Sequence, residues 1–160
     1  MRQRTRVRIK VAWVGKTKAS AIQTLTEDYL ERISRYAEIA GLTLKDEAAI
    51  LSLARGERRG ERRGERQKER HQLILLDSTG KQLSSEELAQ FLEREQMRAI
   101  PLLFAVGGAD GFTDQARRQA AFVLSLGRMT LPHELARVVL LEQLYRAFTI
   151  LKNHPYHLGH

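Results

Sequence analysis

No cysteine occurs among the 160 residues, which excludes disulfides, zinc–thiolate sites, iron–sulfur clusters and a thiol nucleophile, and fits a reducing compartment. Proline is scarce as well. Its three copies, at 101, 132 and 155, punctuate the chain at the start of a strand, the start of a helix and the tail. The longest apolar run near the amino terminus is the four residues Val11 to Val14. That is too short for a signal peptide, and no segment approaches the length of a membrane span. A soluble, cytoplasmic protein with no membrane partner is expected. Three chemical signatures are also missing. Without G-x-G-x-x-G a nicotinamide cofactor is disfavoured, a Walker-type phosphate loop is absent, and Ser125 lacks the G-x-S-x-G elbow of serine hydrolases.

What is present suits one domain, residues 1–160, with 42% hydrophobic and 29% charged residues. The net charge of +8 is unevenly distributed. Residues 1–10 hold five basic side chains and no acid, residues 55–70 add +4, and the rest sums to −1. Two basic patches on a near-neutral body suit a polyanionic partner such as RNA, and equally simple solubility. Residues 55–70 repeat Gly-Glu-Arg-Arg with a period of four. Three glycines leave a helix there marginal, so this low-complexity basic insertion reads as a mobile segment or one ordered by a partner.

Hydrophobic periodicity orders the remainder. Residues 7–14 read as a strand that becomes buried on both faces, and Ala21 to Tyr36 as a helix with Ile22, Leu25, Tyr29, Ile33 and Tyr36 on one side. Gly41 is expected to end that helical region, followed by a short strand from Leu42 to Asp46. Gln72 to Asp77 is a continuous apolar strand, turned by Ser78-Thr79-Gly80. Ser84 and Glu87 have the spacing of a capping box. Leu102 to Val106 is a buried strand ending in Gly107-Gly108, and Thr113 or Asp114 caps a short helix. Phe122 to Leu126 is a further strand, and Pro132 fits the first turn of a long, almost wholly apolar final helix. Only Glu142, Arg146, Thr149 and Asn153 give that helix a polar stripe, which argues for burial against a second copy, a homodimer.

Strands alternating with helices predict a parallel α/β sheet covered on both sides. Ligands in such sheets sit beyond the carboxyl ends of the strands. Asp77 to Gly80, Gly107 to Gly111 and Leu126 to Leu131 are three such ends that could converge on one pocket. Gly107-Gly108 reads either as a plain turn or as a place where backbone approaches a flat ligand closely. His133, at the opening of the final helix, could face an anion or simply pack there. Arg137 could clamp a phosphate or carboxylate, or form a buried ion pair with Glu134 or Glu142. Tyr156 and His157 follow Pro155 with no flexible spacer after an apolar helix, which marks them as candidate site residues. The five histidines form no helical metal-ligand pair, so no metal is expected.

From VAWVGKTK (11–18) through LLD-x-x-G-K (75–81), GGADG (107–111) and MTLPHELARVVLLEQLYRA (129–147) to NHPYH (153–157), the chain resembles the ribosomal large-subunit methyltransferase H family of the SPOUT superfamily. The resemblance implies a sheet whose carboxyl-terminal part forms a deep trefoil knot. It implies a homodimer that transfers a methyl group from S-adenosylmethionine to N3 of a pseudouridine in 23S ribosomal RNA within the assembled ribosome. Carried over by position, Leu76, Gly107, Leu126, Gly127, Arg128, Met129, Thr130 and Leu131 would form the cofactor pocket. Tyr156 and His157 would lie over the partner's pocket. On this reading His157 or Tyr156 helps to deprotonate N3, and Arg137 orients RNA or stabilises charge. The sequence departs from the family pattern between about Leu51 and Gln72. A non-catalytic RNA-binding protein of the same fold, or a SPOUT enzyme acting on tRNA, are the rival readings.

Overall fold

The computed structural model describes residues 6–57 and 69–158. Five strands form one sheet: β1 (Arg8–Val14), β2 (Glu38–Leu44), β3 (Gln72–Gln82), β4 (Leu102–Val106) and β5 (Phe122–Ser125). Their order is β2-β1-β4-β3-β5 and every neighbouring pair is parallel. All carboxyl ends therefore lie along one edge, and those of β4, β3 and β5 are adjacent.

The period-two alternation of each strand divides the core between two faces. Ile9, Val11, Trp13, Ile74, Leu102, Phe104 and Val106 pack with α1 (Ser20–Ser34), α3 (Ser85–Gln96) and α5 (His133–Leu151). Ala12, Leu73, Leu75, Leu103 and Ala105 pack on the other side with α2 (Glu47–Ala54) and α4 (Asp114–Gln119). α5 lies against both α1 and α3. Nine of its residues are buried, among them Leu140, Leu141 and Leu144. A short 3-10 turn, Pro155–Leu158, ends the described chain.

Several sequence expectations hold. The capping box of Ser84 and Glu87 forms in full, and Thr113 caps α4 through the amide of Ala116. Others are corrected. Gly41 does not end a helix but lies inside β2, paired with Val11, and the strand occupies Glu38–Leu44 rather than 42–46. A Cβ there would fall 2.6 Å from the edge of the Trp13 ring, so glycine serves close packing. The expected turn at Ser78-Thr79-Gly80 is instead part of β3. After a break in register beyond Leu76, Lys81 and Gln82 pair again with Leu124 and Ser125. Gly80 sits where a Cβ would meet the Val123 carbonyl oxygen at 2.5 Å. α1 stops at Ser34, two residues early, and α2, to which no element was assigned, is capped by Asp46 accepting from the Ala49 amide. Pro132 is the N-cap of α5, not a residue of its first turn. Most of the Gly-Glu-Arg-Arg repeat, residues 58–68, lies outside the described residues, as do residues 1–5 and His160.

Candidate active site

The loops leaving β3, β4 and β5 enclose a cleft of about 340 Å³, within the range of roughly 300–1,000 Å³ usual for small-molecule sites. Leu76 and Asp77 line it from β3, Val106 and the turn Gly107–Gly111 from β4, and Ser125 with Leu126, Gly127, Met129, Thr130 and Leu131 from β5. His133 and Ala136, in the first turn of α5, close the far side. Gly107 is shaped by its surroundings. A Cβ there would lie 3.3 Å from the Phe112 ring and 3.4 Å from Gly111, so the backbone itself forms that wall. The Gly111 amide closes the turn on the Gly108 carbonyl at 3.0 Å. Buried Ser125 fixes the third wall, its hydroxyl donating to the Gly127 carbonyl (2.9 Å) and accepting from the Gly127 amide (3.2 Å).

An ionic clasp joins two of these walls. Asp77 accepts from the amide and hydroxyl of Thr79 at 2.9 and 2.6 Å and from Arg117 at 3.0 Å. Arg117 also donates to the Phe112 carbonyl at 2.8 Å and pairs with Asp114. Burial alone would raise the Asp77 pKa, but the Thr79 and Arg117 donors outweigh it and hold the carboxyl below its ordinary range. The end of β3 and the loop after β4 are thereby stitched together. Asp110, exposed at the rim, is the other acid in the lining.

Arg137 is fully buried behind the cleft. Its guanidinium lies 4.0 Å from the centre of the Trp13 ring and donates to the Thr17 hydroxyl at 2.7 Å, while Nε has no partner. Burial lowers its pKa. Neither expected ion pair forms: Glu134 accepts from the backbone amide of Lys18, and Glu142 pairs with Arg146 at 2.6 Å.

The tail follows the opposite end of α5. The Tyr156 hydroxyl donates to Glu142 at 3.1 Å, and its ring meets Tyr145 edge-on at 4.6 Å and lies 5.1 Å from the Arg146 guanidinium. Burial first, then Tyr29 and Glu142, raises the pKa of the phenol, so the neutral hydroxyl is strongly preferred. His157 turns Nδ1 to the His154 carbonyl. A carbonyl only accepts, so Nδ1 is the donor of that bond and, in the neutral ring, Nε2 carries the lone pair.

A family model described as "Predicted SPOUT methyltransferase" matches residues 7–157 of this sequence. The chain belongs to the SPOUT methyltransferase family. Among curated relatives of this SPOUT methyltransferase, "Ribosomal RNA large subunit methyltransferase H" of Koribacter versatilis is 50% identical over 155 residues, covering 96% of this chain and 100% of that protein. The Geobacter sulfurreducens protein of the same name is 43% identical over 152 residues, covering 94% and 99%. Solved structures agree on the fold. The SpoU methyltransferase AviRb of Streptomyces viridochromogenes superposes with a TM-score of 0.54 at 10% identity, over 94% of this chain and 62% of that one. A probable methyltransferase of Bordetella pertussis gives 0.52 at 10% identity, over 90% and 95%.

In this SPOUT methyltransferase, seven of the eight residues expected around the cofactor line one cleft; Arg128 is exposed and outside its lining. Arg137 is not in the lining either, nor are Tyr156 and His157; the tail turns back along α5, where Tyr156 packs against Glu142 and Tyr145 near the middle of the helix. The sequence reading gave no role to the Asp77–Arg117 clasp, although Asp followed by Ser-Thr-Gly is the signature of an Asx turn. It also left the Glu142–Arg146–Tyr156 network unassembled, although the first pair has the i,i+4 spacing of a helical ion pair. Among the described residues no group of three or more His, Asp or Glu is placed to hold a metal, and no helix is long and apolar enough to cross a membrane.

Proposed function

We propose that this methyltransferase transfers the methyl group of S-adenosylmethionine to N3 of a pseudouridine in large-subunit ribosomal RNA, on assembled ribosomes in the cytoplasm. It works as a homodimer whose carboxyl-terminal region carries the family's trefoil knot. The observation that carries the reading is the convergence of three parallel strand ends on one glycine-walled cleft. The residues suit the donor. The backbone at Gly107 and Gly127 admits a flat ring closely, Leu76, Leu126 and Leu131 offer apolar walls, and Asp110 is an acid at the rim toward a cation. Bound there, S-adenosylmethionine supplies an electrophilic methyl on a positively charged sulfur. The cleft's own work is positioning, which can account for a large share of the rate in a bimolecular displacement.

N3 of the base is a poor nucleophile while it keeps its proton. His157 Nε2 is the group with a free lone pair to accept it, and the neutral Tyr156, held by Glu142, orients the tail as a hydrogen-bonding partner rather than a base. Tyr156 and His157 are outside the lining of their own chain's cleft, which supports an arrangement in which each tail serves the partner's cleft. Arg137 acts through position, holding Trp13 and Thr17, and does not itself meet RNA.

The test is methyl incorporation into 70S ribosomes followed by mass mapping of modified nucleosides. His157→Ala is expected to lower kcat by about 10²–10⁴-fold while calorimetry shows unchanged S-adenosylmethionine affinity. An unchanged kcat rejects the role of His157. Methyl groups on tRNA alone reject the ribosomal substrate, and salt-dependent RNA binding without cofactor affinity rejects catalysis.

A further inference from the structure

We propose that Lys16 and Lys18, on the loop leaving β1, grip the phosphodiester backbone of the substrate RNA beside the cleft, and that Glu134 and Arg137 hold this loop in place for that purpose. The proposal rests on the RNA reading given above.

β1 ends at Val14 on the same sheet edge as the strands that build the cleft. Val14 packs against one wall of the cleft: a Cβ on the lining residue Gly108 would lie 3.6 Å from its Cγ1. The loop beyond it is tied at three points. The Gly15 amide donates to the Leu44 carbonyl at 2.9 Å, the Thr17 hydroxyl accepts from Arg137 at 2.7 Å, and the Lys18 amide donates to Glu134. That last bond, first among its causes, draws the Glu134 carboxyl below the ordinary range. On α5 the alternation is regular. His133 and Ala136 face the cleft, while Glu134 and Arg137, one position on from each, face the loop. One helical turn therefore sets the distance between the loop and the cleft.

Between these anchors the two lysine side chains are exposed and make no ion pair or hydrogen bond among the described residues. Several arginines of the body are paired instead: Arg8 with Glu69, Arg32 with Asp28, Arg117 with Asp77, Arg146 with Glu142. Glu134, the acid that bonds the loop, is itself committed to the Lys18 backbone amide. Two uncompensated ammonium groups on a rigidly held backbone beside a cleft suit a polyanion. Gly15-Lys16-Thr17 has the closing residues of a Walker loop, but Lys10 stands where its opening glycine would be. The loop therefore does not wrap a nucleotide in backbone amides, and its charge is delivered by side chains. The burial of Arg137 without a carboxylate partner, costly as it is, is explained by the loop it carries.

The test uses the full chain with Lys16→Ala/Lys18→Ala, binding to 70S ribosomes measured across a salt series. The slope of log K against log salt should fall by about 1 for each lysine. Between 50 and 200 mM salt the parent should lose about tenfold more affinity than the double variant. KM for ribosomes should rise while S-adenosylmethionine affinity by calorimetry stays the same, and Lys16→Arg/Lys18→Arg should restore the parent slope. An unchanged slope and KM overturn the proposal. So does a loss of cofactor affinity, which would make the lysines ligands of the donor's carboxylate. A lysine-dependent slope in a chain that methylates no ribosome sustains the grip and rejects the enzymatic reading instead.

Discussion

Arg137 is the residue whose energetics are least like its surroundings. It is a cation with no accessible surface, one hydrogen bond, an aromatic face beneath it and an unpartnered Nε. Stacking on Trp13 contributes on the order of 2 kcal/mol when desolvated, against the several kcal/mol that burying an ion costs. A residue kept at that expense is retained for something other than stability. Arg137→Met, close in volume and apolar, should therefore match or exceed the parent in thermal unfolding midpoint while releasing Thr17. Ribosome affinity should drop by the same salt-sensitive increment as removing the lysines. A variant that unfolds several degrees earlier with unaltered RNA binding would show that Arg137 is purely structural.

At the scale of elements, the clasp between β3 and the loop before α4 makes a statement about pH. The carboxyl of Asp77 is depressed in the fold, so its contribution is complete above its ordinary value, near 4, and is lost as pH falls through that value toward the folded one. Asp114, drawn down through its bond to Arg117, acts in the same direction. Asp77→Asn should flatten the acid limb of a plot of melting temperature against pH and weaken S-adenosylmethionine binding at neutral pH. An acid limb identical to the parent's would remove Asp77 from that account. The clasp also shows what patterns along the chain can and cannot reveal. The apolar runs 72–77 and 102–106 and the Ser84–Glu87 cap were legible because each depends on neighbours a few residues apart. Gly41 and Gly80 were misread as punctuation because their reason lies across the sheet, against Trp13 and Val123. α2 has only eight residues, too few to show a period.

For the whole molecule, the cleft was largely readable and the tail was not. Gly107 and Leu126 to Leu131 follow strand ends and Leu76 stands at the register break of β3, where its pairing with β4 stops, so parallel topology brings them together. On the proposed dimeric reading, where Tyr156 and His157 act depends on how a second copy sits, which no local pattern encodes. The composite arrangement makes a sharp prediction. Mixing His157→Ala chains with chains bearing a bulky residue at Gly107, each inactive alone, should restore about a quarter of the parent's site activity, because half the dimers are mixed and each of those has one intact site. No recovery after subunit exchange would place tail and cleft in the same chain. α5 thus links the two features: its first turn closes the cleft and its middle, at Glu142, holds Tyr156. On the proposed dimeric reading a lone chain is inactive, and activity is assembled only when two copies meet.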